Sequence, residues 1–336
     1  MRYNECAGIN FKNSSKAFQD TGKRLRVSKQ ETAQELLDTG LRAMQREDAE
    51  TARASFLECL QVDDSIASAY NNLGLLALGE GDLEKAKEYL QTAIEKDPRL
   101  FSAYTNLAAI EQTRENLADA ERLYLKSVQL NPNASEAYYN LGLLYVKQEK
   151  LVQAKTAFEK VTQLNPDNFD SFYMLGNVYA TLQDYYASIA NFQYIVFQLP
   201  ELIEARVALA EMYRRQGKYP LAIHELRAAL ELNPEDVDIL QHLGLIFLET
   251  ANGEMALGAF ERIVELDPNR ADAYETLSIL YDLAGLSDAA LESCRKALEL
   301  DPENERTRET YEEMKKKNAL AASAQTAPAP EETEES

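Results

Sequence analysis

Residues 135–166, SEAYYNLGLLYVKQEKLVQAKTAFEKVTQLNP, place small and large apolar residues at helical intervals, and the chain restates this stretch without insertion or deletion. Aligned on the closing Pro166, proline recurs in steps of 34 at Pro98, Pro132, Pro200, Pro234, Pro268 and Pro302. A fixed period of this length is the mark of a stacked array of small units. Repeats numbered 1 to 34 start at Ala33, Ala67, Phe101, Ser135, Phe169, Ile203, Val237 and Ala271. Position 7 is Leu73, Leu107, Leu141, Leu175, Leu209, Leu243 and Leu277, with Thr39 the exception. Position 8 is small throughout: Gly40, Gly74, Ala108, Gly142, Gly176, Ala210, Gly244 and Ser278. Positions 4, 7, 8 and 11 share one stripe of an α-helix, which predicts a first helix, A, in every repeat.

A second helix, B, follows from position 20, which is alanine except for Ser188, and from the larger residues four places on: Phe56, Leu90, Tyr124, Phe158, Phe192, Leu226, Phe260 and Cys294. Small residues at 8 and 20 let two backbones approach, and large ones at 4, 11 and 24 fill the remaining space at interior density. Gly81, Gly217 and Gly285 fall at position 15, in the turn, where a left-handed conformation suits glycine. Helix B must end before the Asn-Pro or Asp-Pro pairs, because the residue preceding proline is pushed out of the helical region. The expected fold is all-α, with eight helix-turn-helix repeats at 33–66, 67–100, 101–134, 135–168, 169–202, 203–236, 237–270 and 271–304.

This pattern resembles the tetratricopeptide repeat (TPR), whose signature sets W-x2-L-G-x2-Y, A-x3-F and P on the same period. The resemblance implies a right-handed α-solenoid, close to one superhelical turn, acting as one elongated domain. The chain departs from the signature in lacking tryptophan: position 4 holds Tyr70, Tyr104, Tyr138, Phe172 or Tyr274, and Arg206 breaks this aromatic column. The family's inner face comes largely from positions 2, 5, 6, 9, 12 and 13 of the A helices. Carried over, position 6 supplies Asn72, Asn106 and Asn140 in succession. This row is similar to the asparagine ladder in the repeat domain of O-linked N-acetylglucosamine transferase, where amides grip the backbone of an extended peptide. An amide both donates and accepts, so it can hold a backbone without reading side chains; the same asparagines could instead bond within or between repeats. Beside them, positions 9 and 12 are apolar at Leu41, Met44, Leu75, Leu78, Leu143, Val146, Leu245 and Leu248. Asn177, Arg214 and Arg215 form a basic cluster that could dock a carboxylate, or could pair with Asp170, Glu204 and Asp238 at position 2. The carboxylate clamp of the family's co-chaperones is absent, since no three consecutive repeats supply its lysine, asparagine and arginine set.

Outside the array, residues 1–27 lack the repeat and are basic through Arg2, Lys12, Lys16, Lys23, Arg24 and Arg26, against Glu5 and Asp20. They read as a disordered arm, and the change of character suggests Val27 as a natural start. Ser28-Lys29-Gln30-Glu31 has the form of a capping box, so the fold is expected to begin there. Past Pro302 the grid fades into a capping helix at 305–320, followed by an Ala/Pro-rich, then acidic, tail at 321–336 expected to be disordered.

Composition narrows the chemistry. The net charge of −21 disfavours nucleic acid, which needs Lys and Arg to neutralise phosphate. No apolar run approaches the ~18 residues of a spanning helix, so direct membrane insertion is not expected. His224 and His242 occupy different positions with no constellation around them, and Cys59 and Cys294 fall in packing slots at positions 27 and 24, with Cys6 in the arm. An odd cysteine count without a secretory signal points to a reducing, cytoplasmic setting. Neither a phosphate loop, nor a nucleophile elbow, nor a zinc spacing is present. The sequence therefore predicts a non-enzymatic scaffold without cofactors or metals that binds a protein or peptide in its groove. The rival reading is a substrate-docking subunit, for example of a glycosyltransferase, whose catalytic domain lies on another chain.

Overall fold

A computed structural model describes the backbone of residues 11–325 and the side chains of residues 28–320. Among the described residues it contains seventeen α-helices and no strand. These are α1 (Phe11–Gln45), α2 (Ala49–Val62), α3 (Ala67–Gly79), α4 (Leu83–Lys96), α5 (Phe101–Thr113), α6 (Leu117–Leu130), α7 (Ser135–Lys147), α8 (Leu151–Leu164), α9 (Phe169–Thr181), α10 (Tyr185–Gln198), α11 (Ile203–Arg215), α12 (Tyr219–Leu232), α13 (Val237–Glu249), α14 (Gly253–Leu266), α15 (Ala271–Leu283), α16 (Ser287–Leu300) and α17 (Glu305–Gln325). Every predicted repeat is a helix pair, with B starting at position 17 and A, after the first, starting at position 1. The chain divides into two compact units, one ending at Ser171 and the other starting at Phe172, in the first turn of α9.

The turns explain these boundaries. Asp48, Asp82, Asp184 and Asn252 cap B helices, each side chain accepting from the backbone N–H three residues on. One residue earlier, all eight repeats turn through a left-handed conformation. Gly81, Gly217 and Gly285 adopt it, and so do Glu47, Glu115, Glu149, Gln183 and Ala251 with φ between 56° and 62°. Non-glycine residues there cost roughly 1–2 kcal/mol each, so the turn is imposed by the packing of the helices it joins. Helix B closes as expected, with Asp97 before Pro98 and Asn165 before Pro166 in extended backbone.

Packing within a repeat follows the grid and sharpens it. Positions 8 and 20 do meet: Ser188 Oγ donates to the Gly176 carbonyl at 2.8 Å. The tighter constraint comes from position 24. A Cβ placed on Gly142, Gly176 or Gly244 would lie 2.7–2.8 Å from the ring of Phe158, Phe192 or Phe260, so the large side chain lies directly over the bare backbone. Position 11 departs from the expected bulk in the first three repeats, where it is Ala43, Ala77 and Glu111. Glu111 is buried, and its charge is met by Lys87 Nζ at 2.7 Å and Asn116 Nδ2 at 2.8 Å.

Repeat 6 is unusual in chemistry but not in geometry. Tyr104 Oη donates to the carbonyl of Pro98, which closes the previous repeat, at 3.1 Å. Arg206 makes the equivalent bond from Nε to Pro200 at 2.8 Å, and its Nη1 reaches Glu225 at 2.8 Å. Arg308 of α17 repeats it on Pro302. The capping helix is thus seated as the A helix of an incomplete ninth repeat: Met314 and Tyr311 pack on Ala290 and Cys294, and Lys317 Nζ reaches Asp282 at 2.7 Å.

The start differs from expectation. The α1 backbone is helical through Ser28, whose carbonyl accepts from Thr32 Oγ1 at 2.9 Å, so the Ser28–Glu31 pattern lies inside a helix rather than at its cap. Disorder was expected for 1–27 and 321–336, but the backbone of 11–27 continues α1 and that of 321–325 continues α17; residues 1–10 and 326–336 lie outside the described residues.

Candidate functional site

In the first unit, the inner-face positions of α3, α5 and α7 combine amides with aliphatic side chains. Asn72 and Asn106 are buried and Asn140 is half-buried. Asn106 Nδ2 donates to Asn71 Oδ1 at 2.9 Å, so this rung is partly used in joining repeats 2 and 3. Asn71, at position 5, was not singled out from the sequence; its placement next to Asn72 was the available sign. Among the described residues, Asn72 and Asn140 engage no partner through their amides; Asn72 is 8% exposed and Asn140 half-buried. Leu75, Leu78, Leu143 and Val146 flank them, all half-buried, and Gly79 leaves open space where a side chain would stand. Ion pairs run along this unit from repeat to repeat: Arg114 to Glu84 at 2.6 Å and Lys147 to Glu115 at 2.6 Å.

In the second unit, the A helices α9 and α11 border a cavity of about 640 Å³ lined by Asn177, Tyr185, Phe192, Ala208, Glu211 and Arg215, among others. Asn177 and Arg215 are thus brought together, while Arg214 turns toward α13. The arginines do not pair with the predicted position 2 acids. Arg214 forks onto Glu211 through Nε at 2.7 Å and Nη2 at 2.9 Å and reaches Glu249 through Nη1, while Arg215 Nε binds Glu211 at 2.8 Å. Asp238 instead faces Arg270 at 3.5 Å. Position 9, apolar in repeats 1, 2, 4 and 7, is Glu211 in this repeat, and it neutralises the basic cluster. A ligand carboxylate would have to displace Glu211, which makes the arginines framework more than bait.

Burial pushes the Glu211 carboxyl up, but the hydrogen bonds from Arg214 and Arg215 outweigh it and hold the group below the usual carboxylate range. Glu111 shows the same balance, burial against Lys87 and Asn116, with the same net lowering. A carboxylate whose folded pKa is depressed stabilises the fold above its unfolded pKa, and that contribution is lost as pH falls through the folded value. The melting temperature is therefore expected to drop below about pH 4.5, and Glu211→Gln should make that drop shallower while lowering the melting temperature at pH 7. A parallel pH profile for wild type and variant would contradict this assignment.

Among the described residues, no group of three or more His, Cys, Asp or Glu could hold a metal ion, and no helix is long and apolar enough to cross a membrane. Cys59 and Cys294 are buried, their thiols donating to the carbonyls of Ala33 and Thr307, and burial raises both thiol pKa values. They are core residues, as predicted; Cys6 lies outside the described residues.

Tetratricopeptide repeat models match residues 67–100 and 135–168, 100–131 and 250–305, and a TPR repeat model matches 210–250. The chain is a tetratricopeptide repeat protein. A search of curated proteins returned no match. Among solved structures, this TPR protein is similar to pilF of Pseudomonas aeruginosa, with TM-score 0.56 and 20% identity over 64% of this chain and 97% of that one. A tetratricopeptide repeat protein from Parabacteroides merdae aligns with TM-score 0.47 and 19% identity over 74% and 99% of the two chains. YrrB, described as a TPR protein with an unusual peptide-binding site, aligns with TM-score 0.38 and 26% identity over 67% and 99%. The likeness to pilF is one of fold.

Proposed function

We propose that this TPR protein is a non-catalytic scaffold that holds an extended segment of a partner protein against α3, α5 and α7, as an adaptor in assembling a complex. The observation that carries the reading is the pair of unpartnered amides, Asn72 and Asn140, set among half-buried leucines and valine. Amides hold the guest's backbone while Leu75, Leu78, Leu143 and Val146 cover its apolar side chains. Such a site favours a neutral or basic apolar peptide over an acidic one, given the net charge of −21.

The test is affinity purification from the source cells with wild type and the Asn72→Ala/Asn140→Ala double variant, which leaves the Asn106–Asn71 bond intact. Each lost hydrogen bond is worth about 0.5–1.5 kcal/mol, so the partner's affinity should fall roughly tenfold or more with helix content unchanged. Adding Asn106→Ala should weaken it further. An unchanged partner set in the triple variant would place binding elsewhere.

A further inference from the structure

The array supplies its own comparison, because each exposed position occurs eight times. Position 29 is Gln61, Glu95, Gln129, Gln163, Glu231, Glu265 and Glu299, but Phe197 in repeat 5. Position 18 is Glu50, Glu84, Ala118, Val152, Pro220, Glu254 and Asp288, but Tyr186 in repeat 5. Both aromatics lie on α10 and are almost bare, Tyr186 76% exposed and Phe197 81%. The helix itself, YYASIANFQYIVFQ, carries no charged residue in a chain that is 27% charged. Packing does not account for these departures, since the core of this repeat is made by Ser188, Ile189, Phe192 and Ile195 on the opposite side of α10.

We infer that the outer face of α10 is a self-association surface on which a second copy of this chain docks. The exposed residues Tyr186, Ala190, Gln193 and Phe197 are spaced 4, 3 and 4 apart, the seam of a coiled-coil pair. The seam is self-complementary about a two-fold axis: with two α10 helices antiparallel, Tyr186 meets Phe197 of the second copy, and Ala190 meets Gln193. Large residues at the ends and a small one near the centre let the helices close. Charge selects this occupant. Two chains of net charge −21 repel over most of their surfaces, and an uncharged helix lets them touch without burying like charges. The ends also match, since Lys218, 5.4 Å from the Tyr186 ring, comes toward the end closed by Glu201 in the second copy. The four aromatic side chains, at ~150–250 Å² each, cover roughly 600–1,000 Å² in total, which is below the ~1,200 Å² of stable interfaces and makes this a weak, reversible contact, with a dissociation constant on the order of micromolar or above.

Sedimentation equilibrium of the full chain, from about 1 to 200 μM, tests the inference. A monomer–dimer equilibrium is expected, strengthening as salt rises, because screening of the repulsion between two chains of net charge −21 outweighs screening of the Lys218–Glu201 approach, and the uncharged seam is unaffected. Tyr186→Glu with Phe197→Gln, the residues usual in those columns, should weaken it by about thirtyfold or more. Ala190→Glu, beside the axis, should do the same with both aromatics present, while Leu57→Glu on α2 should not. Monomer at every concentration, a dimer that survives both α10 variants, or one that weakens with salt would each overturn the proposal.

Discussion

Ala154→Glu is expected to cost at least ~3 kcal/mol, because it sets an ionisable group with no partner into a close-packed slot. Ala154 is fully buried in α8, in the column that is alanine in seven of eight repeats. A carboxylate there must either stay charged without water or take up a proton and leave a hydroxyl unpaired, and either state requires the helix pair to open. Lys147→Glu, on α7, changes charge by more but reaches solvent: Lys147 is 45% exposed and loses only its pair with Glu115. That exchange should stay within about 1 kcal/mol. Because repeats contact their neighbours in a quasi-linear array, the damage from Ala154→Glu should appear as an early transition in a denaturant melt rather than a uniform shift. Equal midpoints for the two variants would show that the assigned register is wrong.

The same substitution, glycine to alanine, should destabilise at one position and not at another. Gly142→Ala drives a methyl group to 2.8 Å from the Phe158 ring, and overpacking of this kind costs about 1–3 kcal/mol, more than the ~1 kcal/mol that alanine gains in helix propensity. Gly79→Ala, at the end of α3, meets nothing within 4 Å and should be neutral or stabilising by up to ~1 kcal/mol. Phe158→Leu in the Gly142→Ala background should recover part of the loss, since repeat 6 already pairs Ala210 with Leu226. Thermal melts of the three variants check the order, and a Gly142→Ala protein as stable as wild type would contradict the contact between positions 8 and 24.

What the sequence revealed and what it hid divide along a physical line. The helix pairs, their ends and the buried columns were legible because each repeat restates the same local constraints, so the leucine of Leu141 or the alanine of Ala154 is read seven times in eight repeats. The conformation at position 15 was only partly legible: Gly81, Gly217 and Gly285 announce it, but Glu115 and Ala251 adopt it under tertiary packing against their own preference. The pairing of Arg214 and Arg215 with Glu211 was missed because side-chain reach, not column identity, selects among nearby acids. Asn71 was missed for a similar reason, since its bond to Asn106 crosses from one repeat to the next. The capping pattern at Ser28 misled because four residues of that kind also suit a helix interior, and α1 continues through them.

Site-specific photo-cross-linking tests the inner-face reading most directly. A photoreactive residue at Leu75 or Leu143, beside Asn72 and Asn140, should capture the partner in cells, and the same residue at Leu57 or Gln163 on the B helices should not. Capture from the B-helix sites alone, with none from Leu75 or Leu143, would contradict the account.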